Sequence, residues 1–184
     1  IIVFNKSDLY KQKELDHFAH LQKIYSSIGY QVMLCSVEKN SGVQEIAALL
    51  EGKTTLLSGH SGVGKSTFIN AVFPTLQLRT QEVSGWSGKG MHTTTFAEMF
   101  DLPTTGAIID TPGIRELGLV DISKQELAHY FPEMRAQMVN CHFNNCMHIE
   151  EPGCAVKQAL EEGKIAADRY VSYLNILTTM DAAH

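Results

Sequence analysis

Residues 53–73 read KTTLLSGHSGVGKSTFINAVF, and this stretch decides the fold. KTTLLSG (53–59) has the make-up of a strand, and KSTFINAVF (65–73) that of a helix stopped by Pro74. Between them GHSGVGKS (59–66) matches G-x-x-x-x-G-K-[ST], in the strand-to-helix setting that gives the pattern its meaning. The loop Gly59, His60, Ser61, Gly62, Val63 and Gly64 can wrap a phosphate chain with backbone N–H groups, and the positive end of the next helix adds to the attraction. Lys65 is placed to neutralise β- and γ-phosphate oxygens. The Ser66 hydroxyl is placed to hold Mg²⁺, with Thr67 beside it in the first helical turn.

Two further motifs sit where a phosphate loop needs them. Downstream, GAIID is an apolar strand running into DTPG (110–113). Asp110 at the strand end can hold Mg²⁺ through water, and the Gly113 amide can meet a γ-phosphate. Upstream, the chain opens IIVFNKSD, a short apolar strand ending in the N-K-x-D pattern at Asn5, Lys6 and Asp8. A carboxylate at Asp8 accepts two hydrogen bonds from adjacent N–H groups of guanine, a donor pair adenine lacks. A buried acceptor left unmade is costly, so the site discriminates against ATP. Asn5 reaches the other base edge or braces the loop, and the Lys6 stem can cover the base face. YQVMLCS (30–36) is a second strand ending where Ser36 and the Val37 backbone can meet the guanine carbonyl; Cys35 reads as a small buried residue.

The remaining pattern is helix, strand and loop in alternation. ELDHFAHLQKIYSSI (14–28) carries Leu15, Phe18, Leu21, Ile24, Tyr25 and Ile28 at helical spacing, and VQEIAALLEG (43–52) is a helix closed by Gly52. The Gly-, Ser- and Thr-rich stretch 75–95 reads as a loop, and 96–102 and 105–111 as two strands joined near Pro103. This alternation predicts an α/β fold with a parallel sheet. Past about residue 120 the segments become helical, ending in a helix over 164–180 with Ile165, Tyr170, Val171, Leu174 and Leu177 as its apolar set. The division expected is 1–120 and 121–184.

The second part carries its own chemistry. CHFNNCMHIEEPGC (141–154) spaces its ligands as Cys141-x4-Cys146-x-His148-x5-Cys154. Three thiolates and one imidazole form the closed tetrahedral inventory of a structural zinc site, too soft for Mg²⁺ or Ca²⁺ and with no open position for catalysis. His142 is the competing imidazole, expected to point away. The chain has 184 residues and a formal net charge of -5, which argues against a general charge-driven nucleic-acid binder. No stretch approaches the roughly 20 apolar residues of a membrane span, so a cytoplasmic protein is expected. The opening inside a strand, without Met, reads as a piece of something longer.

In chain order these motifs run base reader, backup base contact, phosphate loop, switch loop, DTPG, which is the ordinary GTPase order circularly permuted. With NKSD, GHSGVGKS, HTTT (92–95), DTPG and the Cys/His cluster in that order, the chain resembles the circularly permuted GTPases that mature the small ribosomal subunit, the RsgA/YjeQ type. The resemblance implies a P-loop NTPase sheet of the circularly permuted GTPase kind with a small α-helical zinc-binding domain after it. It also implies GTP and GDP as ligands, Mg²⁺ with GTP, one structural Zn²⁺, a monomer, and the small ribosomal subunit and its rRNA as partners. The family's zinc spacing carries Cys141, Cys146, His148 and Cys154 over as ligands.

GKGMHTTT (88–95) resembles the family's switch segment, with Met91 where a basic residue is usual. This makes Thr94 the expected Mg²⁺ ligand, Thr93 and Thr95 being the alternatives, and His92 the candidate to orient or deprotonate water. Ile114 follows DTPG where many GTPases place a water-orienting Gln, so slow intrinsic hydrolysis is expected. A GTP-gated RNA- or protein-binding module with only incidental hydrolysis is the competing reading. The resemblance further implies an N-terminal OB-fold domain and a strand between the phosphate-loop strand and the base-reading strand, both expected ahead of Ile1 in a longer protein.

Overall fold

The computed structural model describes residues 1–76, 78, 97–103, 105–111 and 122–182, with the side chains of 181 and 182 excepted. The chain divides into two compact units, Ile1–Leu117 and Gly118–His184.

In the first unit the elements are β1 (Ile2–Phe4), α1 (Gln12–Ser27), β2 (Val32–Leu34), α2 (Val43–Leu50), β3 (Lys53–Leu57), α3 (Lys65–Val72), β4 (Glu98–Asp101) and β5 (Gly106–Asp110). β1 and β2 pair in parallel with Phe4 opposite Leu34. The other sheet has the order β3-β5-β4, with β3 and β5 parallel and Leu57 opposite Asp110. The wholly parallel arrangement expected from the alternation is corrected at β4, which runs antiparallel to β5 with Glu98 opposite Asp110. The reason lies in the connection. A tight turn closed by Leu102 N–H on Gly106 O, 2.9 Å, reverses the chain, whereas a parallel partner needs a long crossover. Among the described residues no strand joins the two sheets: β1 has β2 as its hydrogen-bonded neighbour, and β3 has β5.

The core of this unit lies where α2 and α3 cover the three-stranded sheet. α2 buries Val43, Ile46, Ala47 and Leu50, an i, i+3, i+4, i+7 stripe that gives an amphipathic helix one apolar face. Val43, Ile46 and Leu50 meet Phe68 and Ile69 of α3, Ile108 of β5, Leu102 and Cys35. Burying side chains of this size contributes about 1.5–3 kcal/mol each. α1 is covered far less: only Ile24 of its apolar set is buried, while Leu15 is 40% exposed.

The second unit holds α4 (Lys124–Leu127), α5 (Pro132–Met138), α6 (Ala155–Glu161) and α7 (Ala167–Ala182). α4 is short and well started: Ser123 and Glu126 form a reciprocal capping box. Leu127, Phe131, Met134, Val156, Ala159, Ile165, Tyr173 and Leu177 make the core together with Cys146 and Cys154. The last helix begins at Ala167, not 164, so the buried Ile165 precedes it, and one member of its expected apolar set is exchanged. Tyr173, absent from that set, is fully buried, and Val171 is 52% exposed. The face is set by the phase Tyr170, Tyr173, Leu174, Leu177, and a tyrosine can occupy its centre because its hydroxyl finds a carbonyl. Arg169 of the same helix is mostly buried. It donates through Nε to Glu133 Oε1 at 2.7 Å and lies 4.6 Å over the Phe131 ring. No helix among the described residues is long and apolar enough to cross a membrane.

Candidate functional site

The first site is assembled at the C-terminal ends of two parallel strand pairs, the edge where open α/β sheets take their ligands. β3 delivers the loop 58–64 and β5 delivers Asp110, while β1 ends at Asn5 and β2 at Cys35 and Ser36. Gly64, at φ +100, starts α3 in a left-handed conformation that disfavours any side chain. A Cβ there would also stand 2.5 Å from Asn5 Nδ2. The reason for that crowding is a direct bolt between the two motifs. Asn5 Nδ2 donates to Val63 O at 3.0 Å, and Lys6 Nζ donates to Gly62 O at 2.7 Å. The base-reading and phosphate motifs, more than 50 residues apart in the chain, thus meet in one place. Of the two roles open to Asn5, bracing the phosphate loop is the one the geometry displays. The Lys6 ammonium is tied to that loop by its tip, and its backbone is left-handed at φ +64.

Asp8 is exposed, and its Oδ1 accepts from the buried Ser36 hydroxyl. The same Ser36 Oγ accepts from Lys39 N–H at 3.1 Å, so a chain of donors runs from the 37–40 turn to the carboxylate. The turn is closed by Ser36 and Ser41, each N–H donating to the other's carbonyl at 2.9 Å. Val37 is half-buried next to it.

On the phosphate side Lys65 Nζ donates to Gly59 O at 2.8 Å and to His60 O at 3.3 Å. Burial holds the Lys65 pKa below its ordinary value, with Asp110 pulling the other way. The two carbonyl contacts poise the ammonium over the loop. Ser66 Oγ donates to Asp110 Oδ2 at 3.3 Å, and Asp110 is 3% exposed. A hydroxyl and a carboxylate side by side are the hard oxygen donors that Mg²⁺ takes, so these residues fit that ion. Thr111 Oγ1 donates to Leu57 O at 2.6 Å and pins the start of the DTPG segment onto β3. Ser61 is half-buried; His60 and Thr67 are exposed on the same loop and helix start. His92, Thr93, Thr94, Thr95, Gly113 and Ile114 lie outside the described residues.

The second site is in the second unit. Cys141, Cys146, His148 and Cys154 place one donor atom each within 4.8 Å of all the others. His148 Nδ1 is 3.7 Å from Cys141 Sγ and 3.4 Å from Cys154 Sγ. A tetrahedral zinc, with Zn–S of about 2.3 Å and Zn–N of about 2.0–2.1 Å, sets sulfur-to-nitrogen edges of about 3.6 Å. The donor set fits the metal in number, kind and spacing. His142 is not among the assembled donors; its ring packs edge to face on Phe143, 4.7 Å between centroids. Burial lowers the His148 pKa and so favours the neutral imidazole that a metal needs. Burial, together with Cys154 and Cys141 close by, pushes the Cys146 thiol up to about 12. A bound cation would reverse this preference by stabilising the thiolates.

Sequence reading missed what shapes this knuckle. His148 has a left-handed backbone, φ +59, unusual for a residue with a side chain. Three supports hold it. Tyr170 OH donates to His148 O at 2.6 Å, and Tyr173 OH donates to Met147 O at 2.7 Å. The Glu151 carboxylate accepts N–H groups from Met147 at 2.7 Å, Ile149 at 2.9 Å and Glu150 at 3.2 Å. A signal was present in the pair of tyrosines three apart on a helix, which project on one face. Their partners lie more than 20 residues away, and nothing local names them.

The family model described as RsgA GTPase matches residues 1–120. The chain belongs to the RsgA GTPase family. It is 50% identical over 184 residues to the small ribosomal subunit biogenesis GTPase RsgA of Flavobacterium psychrophilum, covering 100% of this chain and 56% of that relative. With the protein of the same description from Cytophaga hutchinsonii it shares 52% identity over 181 residues, 98% of this chain and 59% of the relative. The chain thus spans little more than half the length of these RsgA relatives. Among solved structures, YjeQ from Thermotoga maritima superposes with a TM-score of 0.79 at 36% identity, covering 96% of this chain and 58% of that one. YloQ, described as a circularly permuted GTPase, gives 0.78 at 33% identity, covering 100% and 57%. The permuted order inferred from the motifs and the fold of these RsgA-type structures therefore agree, and the α/β reading with a Cys/His group stands.

Proposed function

We propose that the chain binds and hydrolyses GTP and that it serves late maturation of the small ribosomal subunit, hydrolysis timing its release. The observation that carries the catalytic half is the bolt between the base-reading and phosphate loops, Asn5 to Val63 and Lys6 to Gly62. It makes one continuous cradle for a guanine nucleotide. Membership of the RsgA family, whose relatives carry the ribosomal description, supports the biological half.

In this reading residues 1–120 form the GTPase domain and residues 121–184 a zinc-binding helical domain. Asp8, backed by Ser36, reads guanine with Val37 alongside; Asn5 and Lys6 fix its distance from the phosphate loop. The N–H groups of 59–64, with Ser66 and Thr67 at the start of α3, hold the phosphates. Lys65 leaves its two carbonyl partners to neutralise β- and γ-oxygens as negative charge moves toward the leaving GDP. Mg²⁺ held by Ser66, Asp110 and Thr94 would spread that charge further. Water attacks the γ-phosphorus, the bond to the bridging oxygen breaks, and GDP and phosphate leave; His92 is assigned the attacking water's orientation and Gly113 a contact to the γ-phosphate. Zn²⁺ on Cys141, Cys146, His148 and Cys154 staples a domain too small to hold itself. The proposed setting is cytoplasmic and monomeric, with rRNA of the small subunit as partner.

The deciding experiment is GTP turnover with and without purified small ribosomal subunits, using ATP as control and Asp8→Asn as variant. Stimulated, GTP-specific turnover is expected, with Asp8→Asn lowering GDP affinity by about 100-fold as its paired guanine contacts are lost. Tight GTP binding with no stimulated turnover would favour the nucleotide-gated binding module, which Ile114 after DTPG makes the second reading.

A further inference from the structure

Asn5 is gripped at both ends of its side-chain amide, and one of the two grips belongs to a residue that the GTPase reading leaves idle. At one end Nδ2 donates to Val63 O at 3.0 Å. A carbonyl can only accept, so this contact fixes which end of the amide is nitrogen. Oδ1 must then face the other way, and there it meets Cys35 Sγ at 3.4 Å. An amide oxygen cannot donate, so the hydrogen in that contact belongs to the thiol.

The surroundings suit that duty. Cys35 is 1% exposed. Burial pushes its thiol above the ordinary value, which keeps the proton on sulfur at neutral pH. Its backbone is tied to both sides of Asn5: Cys35 N–H donates to Phe4 O at 2.8 Å, and Ser7 N–H donates to Cys35 O at 3.0 Å. From a third side Gly42, at φ +70, presses so closely that a Cβ there would lie 3.3 Å from the Cys35 Cα and Cβ and 2.4 Å from Leu34 O. The Cys35 backbone and Cβ are therefore fixed by main chain on both sides of Asn5.

We propose that Cys35 is a positioning residue for guanine recognition, its S–H setting the rotation of the Asn5 amide and thereby the register between the base-reading loop and the phosphate loop. It touches no nucleotide. Were the amide to turn over, Oδ1 would face Val63 O, two acceptors would meet, and the bolt would open. The neighbouring Ser36 acts on the base directly through Asp8, so the two consecutive residues divide the work: one aligns the carboxylate, the other aligns the brace. This role rests on the guanine-nucleotide reading above.

The test is calorimetric binding of GDP and ADP, with GTP turnover, for the wild-type chain and for Cys35→Ser, Cys35→Val and Cys35→Ala. Serine keeps a donor; valine fills the space without one; alanine removes both. The lost hydrogen bond predicts about fivefold weaker GDP binding in the valine and alanine variants and binding within about twofold of wild type in the serine variant. KM for GTP should rise in step while turnover at saturating GTP holds, since the contact is equally present before and during reaction. Valine binding GDP as well as wild type, or serine as weak as valine, overturns the proposal. If valine does not fold, alanine against serine decides it alone, because both leave similar free space. Wild-type chain that binds GDP no better than ADP would instead sink the guanine reading itself, an outcome distinct from a selective wild type indifferent to residue 35.

Discussion

The two candidate sites are built in opposite ways. The base-reading corner is made of partners far apart in the chain: Asn5 with Val63, Lys6 with Gly62, Asp8 with Ser36 and Asn5 with Cys35. The metal knuckle draws all four donors from residues 141–154. Non-local contacts require the sheet to be folded before the site exists, because loop-closure entropy must be met first. The local cluster is nearly preassembled by sequence; two of its cysteines belong to the second unit's core, and two tyrosines of α7 hold its backbone. One site is made by its fold; the other helps to make its fold.

Metal removal tests this contrast most severely. Structural zinc contributes about 10–16 kcal/mol in small domains, so chelation or Cys154→Ser should abolish the fixed environment of Tyr170 and Tyr173, read by near-ultraviolet circular dichroism. GDP binding should persist within about twofold. A second unit that keeps its tyrosine signal without metal would erase the distinction.

A smaller but sharper break is Gly64→Ala. The added Cβ meets Asn5 Nδ2, and φ +100 is strained for alanine. A cost of about 1–3 kcal/mol is expected, seen as roughly 5- to 150-fold weaker GDP binding with zinc affinity untouched. Tyr173→Phe works on the other site. Losing one hydrogen bond to Met147 O should cost about 1 kcal/mol and lower zinc affinity several-fold in a chelator competition, with GDP binding unchanged.

The smallest effect concerns acid. Burial pushes the Glu151 carboxyl up, but the N–H groups of Met147, Ile149 and Glu150 outweigh it and hold the pKa below the ordinary range. A carboxyl depressed on folding stabilises above its unfolded pKa of about 4.3 and loses that contribution as pH falls through the folded value. Glu151→Gln should therefore destabilise the second unit at pH 6, in thermal melts of the metal-loaded chain. A variant as stable as wild type at pH 6 would remove Glu151 from the knuckle's support.

Much of this was legible in residue order. The phosphate loop, the N-K-x-D segment and DTPG each carry backbone chemistry that local spacing displays, and the α2 stripe of Val43, Ile46, Ala47 and Leu50 is visible as periodicity. The four ligands of the knuckle are legible for the same reason: thiols and imidazole at short spacing have few other uses. Less legible was anything decided by phase or by a partner in another element. Val171 and Tyr173 could each have faced the core by composition, and only the packing of α7 chose Tyr173. The antiparallel course of β4 depended on how tight one turn would be.

The sequence by itself determined which candidate chemistry the chain displays: a phosphate-loop pattern, an N-K-x-D segment and a Cys₃His set, because those rest on residue types at fixed local spacing. Only the tertiary structure decided how the parts are coupled: that Asn5 braces the phosphate loop, that Cys35 faces its amide oxygen, and that Tyr170 and Tyr173 hold a left-handed His148. Hydrogen bonds across 22 to 58 residues leave no periodic trace in a chain, since either partner can satisfy its polar groups in many other ways until the fold brings the two together.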